Sequence, residues 1–130
     1  NLKNGLISGF VVYLCVFALP SLGLSPELPG TLAAQLQDRQ IWWISTVVLS
    51  SFAFVILFFN KNKMYQGLAI ILLFLPHIIG APLPEVHGGT APQEMFEEYI
   101  LSTYITNAVF WLFLGAISIS LFKRFQEKQV

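Results

Sequence analysis

Charged side chains are scarce in this sequence. Of its 130 residues, 11% are Asp, Glu, Lys or Arg and 55% are apolar. A soluble domain carries about a quarter charged residues. Seven basic and seven acidic side chains cannot cover the surface that a chain of this length exposes. A soluble globular monomer is therefore excluded. Disorder is excluded as well, because it needs low hydrophobicity and high net charge, and here the net charge is zero. The balanced charges, with no basic stripe outside the tail, leave no footprint for a nucleic-acid binder. Cysteine occurs once, at Cys15, so no internal disulfide forms; inside an apolar run it reads as a small hydrophobe. Histidine occurs twice, which leaves no pair within the spans for haem and no HxxxH spacing. A Ser/His/Asp set, a glycine-rich phosphate loop followed by Lys, and HExxH are all missing, so no enzymatic machinery is legible. No small-residue cleavage site follows the first apolar run, as a signal peptide would require; Pro20-Ser21-Leu22-Gly23 follows instead. The first residue is Asn1 rather than Met, compatible with a processed product, a fragment or the ordered part of a longer chain.

What is present is oil-soluble sequence, with a mean hydropathy of +0.69. Four apolar runs, 5–24, 41–59, 67–84 and 99–122, contain no Asp, Glu, Lys or Arg. A hydrocarbon core takes about 20 helical residues, and backbone groups in lipid must be satisfied within their own segment. The expectation is an all-α polytopic membrane protein of four transmembrane helices, forming a single helical membrane domain over residues 1–130. Placing the N-terminus inside puts Lys3, Lys61, Lys63, Lys123, Arg124 and Lys128 inside and only Arg39 outside. That bias predicts N-in/C-in topology. Glu27, Asp38, Glu85, Glu94, Glu97 and Glu98 then make the outer surface anionic. Trp42 and Trp43 mark the outer headgroup level and Tyr65 the inner one.

Local patterns add detail. Thr90-Ala91-Pro92-Gln93 reads as a capping box that starts the fourth helix near Ala91. Gly30-Thr31 reads as a short helix start leading through Leu32 and Leu36. Gly5 and Gly9 form a GxxxG pair suited to close helix contact, although the pattern also arises by chance in apolar segments. Ser102, Thr103, Thr106 and Asn107 make the outer half of the fourth span polar, either lining a pathway or bonding to neighbouring helices.

His77 is the strongly polar titratable group inside a span, next to Pro76, which lacks an amide donor. An imidazole beside carbonyls freed at a broken helix suits a cation, and an intramembrane ionisable residue is a functional candidate by default. The competing reading is a neutral imidazole bonded to a nearby hydroxyl or carbonyl. Downstream, Glu85 and His87 flank Val86 in a segment rich in Pro and Gly. Carboxylate and imidazole together suit a divalent first-row metal, while a lone solvated loop histidine is the plainer reading of His87. Glu94, Glu97 and Glu98 fall on one helix face, which either attracts cations at the mouth or is simply wet.

Four motifs in order carry a family likeness. They are Leu22-Gly23-Leu24-x-Pro26-Glu27-Leu28-Pro29-Gly30; Arg39-Gln40-x-Trp42-Trp43-x-x-Thr46; Leu75-Pro76-His77-x-x-Gly80-Ala81-Pro82-x-Pro84; and Phe110-Trp111-x-x-Leu114-Gly115. Over about residues 9–122 the chain resembles the predicted cobalt transporter subunit CbtA, in the C-terminal part of that family. The resemblance implies cobalt uptake connected with cobalamin synthesis, in a bacterial or archaeal cytoplasmic membrane. It also implies a single-span partner, CbtB, with a histidine-bearing end. The residues it carries over are Glu27, Arg39, Trp42, Trp43, His77 and Trp111. The expected function is a subunit of divalent-cation uptake that holds a Co²⁺-type ion transiently at His77 and the carbonyls near Pro76, with Glu85 and His87 as further candidate ligands. The rival expectation is a non-catalytic accessory transmembrane subunit packed in a larger membrane complex.

Overall fold

Apolar runs without charge fold as helices, because in lipid a helix satisfies its own amides. The computed structural model describes residues 1–128, and the described residues form an all-α fold. Four helices follow one another: α1 (Leu2–Gly23), α2 (Leu36–Phe59), α3 (Lys63–Ile79) and α4 (Gln93–Glu127). Three of them, α1, α2 and α4, are long and apolar enough to cross a membrane. At 17 residues α3 is shorter; it extends about 26 Å against a hydrocarbon core of about 30 Å.

The third span expected at 67–84 is thus corrected to a helix that starts at Lys63 and stops at Ile79. Gly80 stops it: its φ of 90° leaves the helical region, and Pro82 and Pro84 cannot resume one. Both α2 and α4 overrun their apolar runs, because helix geometry does not end where hydrophobicity does. At 35 residues, α4 is about 52 Å long, so its charged ends project beyond the hydrocarbon. Its start also differs from expectation. It begins at Gln93 without a side-chain cap, and the Thr90 hydroxyl instead lies against Gly30. Nor does a helix begin at Gly30-Thr31. There the Thr31 hydroxyl donates to the Leu28 carbonyl at 2.7 Å and closes a turn in which Gly30 has φ 85°.

Within α1, residues Leu14–Ala18 form a π turn. Pro20 follows in the chain and has no amide proton for the helix ladder. The wider turn absorbs that irregularity, and the helix continues to Gly23.

Small residues decide the packing. Antiparallel α1 and α4 are held together by glycine: a Cβ on Gly9 would overlap the Trp111 carbonyl, and one on Gly115 would overlap the Gly5 carbonyl. Further along, the Tyr13 hydroxyl donates to the Tyr104 carbonyl at 3.3 Å, and Phe17 meets the Tyr104 ring edge-on. Between α2 and α3 lies a tight turn at 60–62, where Asn60 and Asn62 side chains accept the amides of Asn62 and Met64. The helices therefore lie in the order α4, α1, α2, α3, with α4 resting on α1. Buried positions hold Gly5, Gly9, Ser21, Thr46, Ser50, Ala53 and Ala69, while Phe52, Phe59 and Phe113 face outward. This inversion of a water-soluble core suits lipid, where tight backbone approach rather than apolar burial joins helices. On α4, Thr103 and Asn107 turn back onto the carbonyls of Tyr99 and Thr103, so these two are satisfied within their own helix rather than by a neighbour.

Alternation of direction sorts the charge. Lys3, the turn with Lys61 and Lys63, and the α4 end with Lys123 and Arg124 share one end of the assembly; Gly5 meets Ile119, and Asn4 shares a groove with Phe59. Loops 24–35 and 80–92 occupy the other end.

Two glycine substitutions separate packing from propensity. Gly115→Val forces a side chain into the α1 backbone and lowers stability in detergent by about 1–3 kcal/mol. Nothing lies within 4 Å of a Cβ on Gly67, and Gly67→Ala raises stability by about 0.5–1 kcal/mol. Thermal midpoints of the purified variants check both.

Candidate functional site

The loop end gathers six of the seven acidic side chains. At the start of α2, Arg39 donates to the Glu27 carboxylate at 2.8 Å, and both side chains are about a quarter exposed. An ion pair this wet adds at most about 1 kcal/mol, but it ties loop 24–35 to the first turn of α2. Asp38 lies in that same turn, where the helix dipole favours an anion. The Leu32 amide donates to the Gly88 carbonyl at 2.9 Å, and a Cβ on Gly89 would sit 3.5 Å from the Thr31 Cα. These contacts clasp the two loops to each other.

Between them lies a cavity of about 350 Å³ lined by Glu27, Thr31, His87, Gln93 and Phe96. A neighbouring hollow of about 450 Å³ is lined by Gln35, Asp38 and Glu85. Glu85 and His87, expected to act together, thus face different hollows: His87 shares one with Glu27, Glu85 the other with Asp38. The bend at 85–86 separates them. Glu94, Glu97 and Glu98 are exposed on the first turns of α4 and line neither hollow; Gln93 donates to Glu97 at 3.3 Å.

His77 occupies the last turn of α3, apart from both hollows. Its ring meets Trp42 edge-on at a centroid distance of 5.7 Å, and its Nε2 is buried without a hydrogen-bond partner. The adjacent Pro76 carbonyl accepts twice: from the Gly80 amide at 3.0 Å and from Trp42 Nε1 at 3.3 Å. The Ile78 carbonyl differs, because Pro82, four residues on, has no amide proton to give it. An Ile78 carbonyl without its helical partner, together with the negative end of the dipole, makes this helix end favourable to a cation. Among the described residues, no three His, Cys, Asp or Glu side chains are grouped closely enough to hold a metal ion. His77, Glu85 and His87 are thus not grouped together in this structure.

The family model described as "Probable cobalt transporter subunit (CbtA)" matches residues 1–123. The chain belongs to the CbtA family. The match takes in the whole of α1, so the likeness is not confined to residues after Gly9. No curated protein and no solved structure matches the chain. CbtA membership together with the membrane-length helices supports a general role in membrane transport.

Trp42 was expected at the headgroups, yet it is only 8% exposed and turns inward. The signal lay in its spacing: Trp42, Thr46 and Ser50 recur every four residues and form the buried stripe of α2. The Glu27–Arg39 pair, by contrast, has no local sequence signature, because a loop residue and a helix residue make it.

The loop clasp is directly testable. With Cys15→Ser as background, Thr31→Cys plus Gly89→Cys joins two positions in direct contact, a position-89 Cβ lying 3.5 Å from the Thr31 Cα, close enough for the Cβ–Cβ separation of about 3.5–4.5 Å that a disulfide requires. Oxidation is expected to cross-link this pair nearly completely, as a mobility shift under non-reducing electrophoresis. Thr31→Cys plus Glu98→Cys remains uncross-linked.

Proposed function

We propose that this chain is a subunit of a divalent-cation uptake system, cobalt being the cargo that the family description names. Family membership is the observation that carries the reading. The arrangement of charge supports it. The anionic loop end, where Asp38 and Glu85 line one hollow and Glu94, Glu97 and Glu98 lie close by in the chain, raises the local cation concentration there, and the basic end faces the cytoplasm under the positive-inside rule. The chain then forms one membrane domain, N-in and C-in, in a bacterial or archaeal cytoplasmic membrane.

α3 and the segment after it complete the fourth crossing together. Non-helical backbone at membrane depth survives only when enclosed by protein or facing a watery cavity. Ala81, Pro82 and Pro84 are half-buried, and two of these three carry no amide proton that would need a partner. The broken end offers the His77 imidazole and the Ile78 carbonyl as a sparse N/O site for a Co²⁺-like ion in passage. Glu85 and His87 act as separate outer contacts rather than as co-ligands, and Glu94, Glu97 and Glu98 act at long range. Such ligands do not select cobalt over nickel or zinc, so selectivity comes from a partner, such as a single-span subunit with a histidine-bearing end.

One observation favours an accessory role within a larger complex: α4 buries none of its residues in this chain. Uptake of radioactive cobalt by cells producing the full system distinguishes the two. His77→Ala, at equal protein level, is expected to lower uptake at least tenfold. Unchanged uptake contradicts the cation site and favours the accessory reading.

A further inference from the structure

Trp42 touches every element around His77. A Cβ on Gly23 of α1 would fall within the Trp42 ring edge, at Cη2 and Cζ2, so the indole lies directly on the glycine backbone. Ala81, just past the end of α3, closes on the same spot. The indole Nε1–H is spent on the Pro76 carbonyl, and the ring meets the His77 imidazole edge-on. A hollow of about 400 Å³ is lined by Asp38, Trp42, Pro76 and Gly80, and the loop cavity reaches down to Gly23. His77 lines neither; Trp42 lines the first and Gly23 the second.

We infer that Trp42 is a positioning residue and shutter for His77: its indole separates the imidazole from the hollows at the loop end and withholds the Pro76 carbonyl at the same time. This rests on the cation-uptake reading for its purpose, but not for its geometry. One rotation of the indole away from Gly23 breaks the Nε1–carbonyl bond and uncovers the ring. Two oxygen and nitrogen donors, the Pro76 carbonyl and the His77 Nε2, become available in a single motion. The structure is the closed arrangement, in which Nε2 is buried and unpartnered. Gly23 is the seat that lets the indole close, since any larger residue holds it off.

The test is thiol accessibility in the intact protein in lipid vesicles, with Cys15→Ser as background and a membrane-impermeant maleimide as probe. With Trp42 in place, His77→Cys is expected to react at least tenfold more slowly than Val86→Cys on the exposed loop. Trp42→Ala raises the rate at position 77 at least tenfold and leaves the rate at position 86 unchanged. Gly23→Ala, which keeps the indole but unseats it, raises the rate at position 77 as well. It keeps the question answerable if Trp42→Ala does not fold. Reaction at position 77 as fast as at position 86 with Trp42 present overturns the shutter. So does an unaltered rate at position 77 in both variants. Labelling requires no cation, so this failure leaves the uptake reading standing, and loss of that reading leaves the shutter intact.

Discussion

A peptide group in hydrocarbon has no water to bond with, and this constraint governs the chain from α1 to α4. Each apolar run folds over most of its length into a helix that closes its own ladder. The hydroxyls of Thr46, Ser51, Thr103, Ser118 and Ser120 all fold back onto carbonyls one turn earlier. Where the ladder breaks, the break is managed: a π turn precedes Pro20, and the segment that follows Gly80 carries two prolines with no donor to satisfy.

The same constraint explains why the interior is made of small residues. Lipid tails are as apolar as Leu, so burying Leu or Phe between helices gains little. Close approach gains dispersion contacts, and Gly5, Gly9 and Gly115 provide it between α1 and α4. Large side chains are left for the lipid face, where most of the Phe residues stand. Tyr13, Leu24 and Trp42 are the large side chains that go against this, and Trp42 matters most for the site. It is a large ring buried where three helices meet, and that junction holds both His77 and the interrupted end of α3. The candidate site and the break at the end of α3 thus coincide at one place.

Much of the fold was legible in the sequence because hydropathy and charge are one-dimensional signals. The absence of charge in the runs marked the helices, and Lys3, Lys61 and Lys123 lie at one end as their alternation required. Gly5 and Gly9 pointed to a close neighbour without naming it; Gly115 became visible as the partner only in three dimensions. Boundaries were harder. Thr90 and Gly30 both look like helix starts, but they bond and pack against loop neighbours instead. At the site, His77 stood out as a lone imidazole in an apolar run. Its surroundings did not, because Trp42 lies on another helix and Gly23 on a third. The spacing of Glu85 and His87 suggested a pair, and the bend between them sends each to its own hollow.

Helices that cross lipid in alternation must leave the α2–α3 turn and the α4 end on the same face of the membrane, with the clasped loops opposite. The direct measurement is labelling of single cysteines in sealed right-side-out vesicles by an impermeant maleimide, with Lys61→Cys, Lys123→Cys and Val86→Cys each introduced into a Cys15→Ser chain. The account predicts that position 86 reacts at once, while positions 61 and 123 react only after the membrane is opened. Reaction of positions 61 and 123 from opposite sides, or of position 86 from the same side as either, contradicts it.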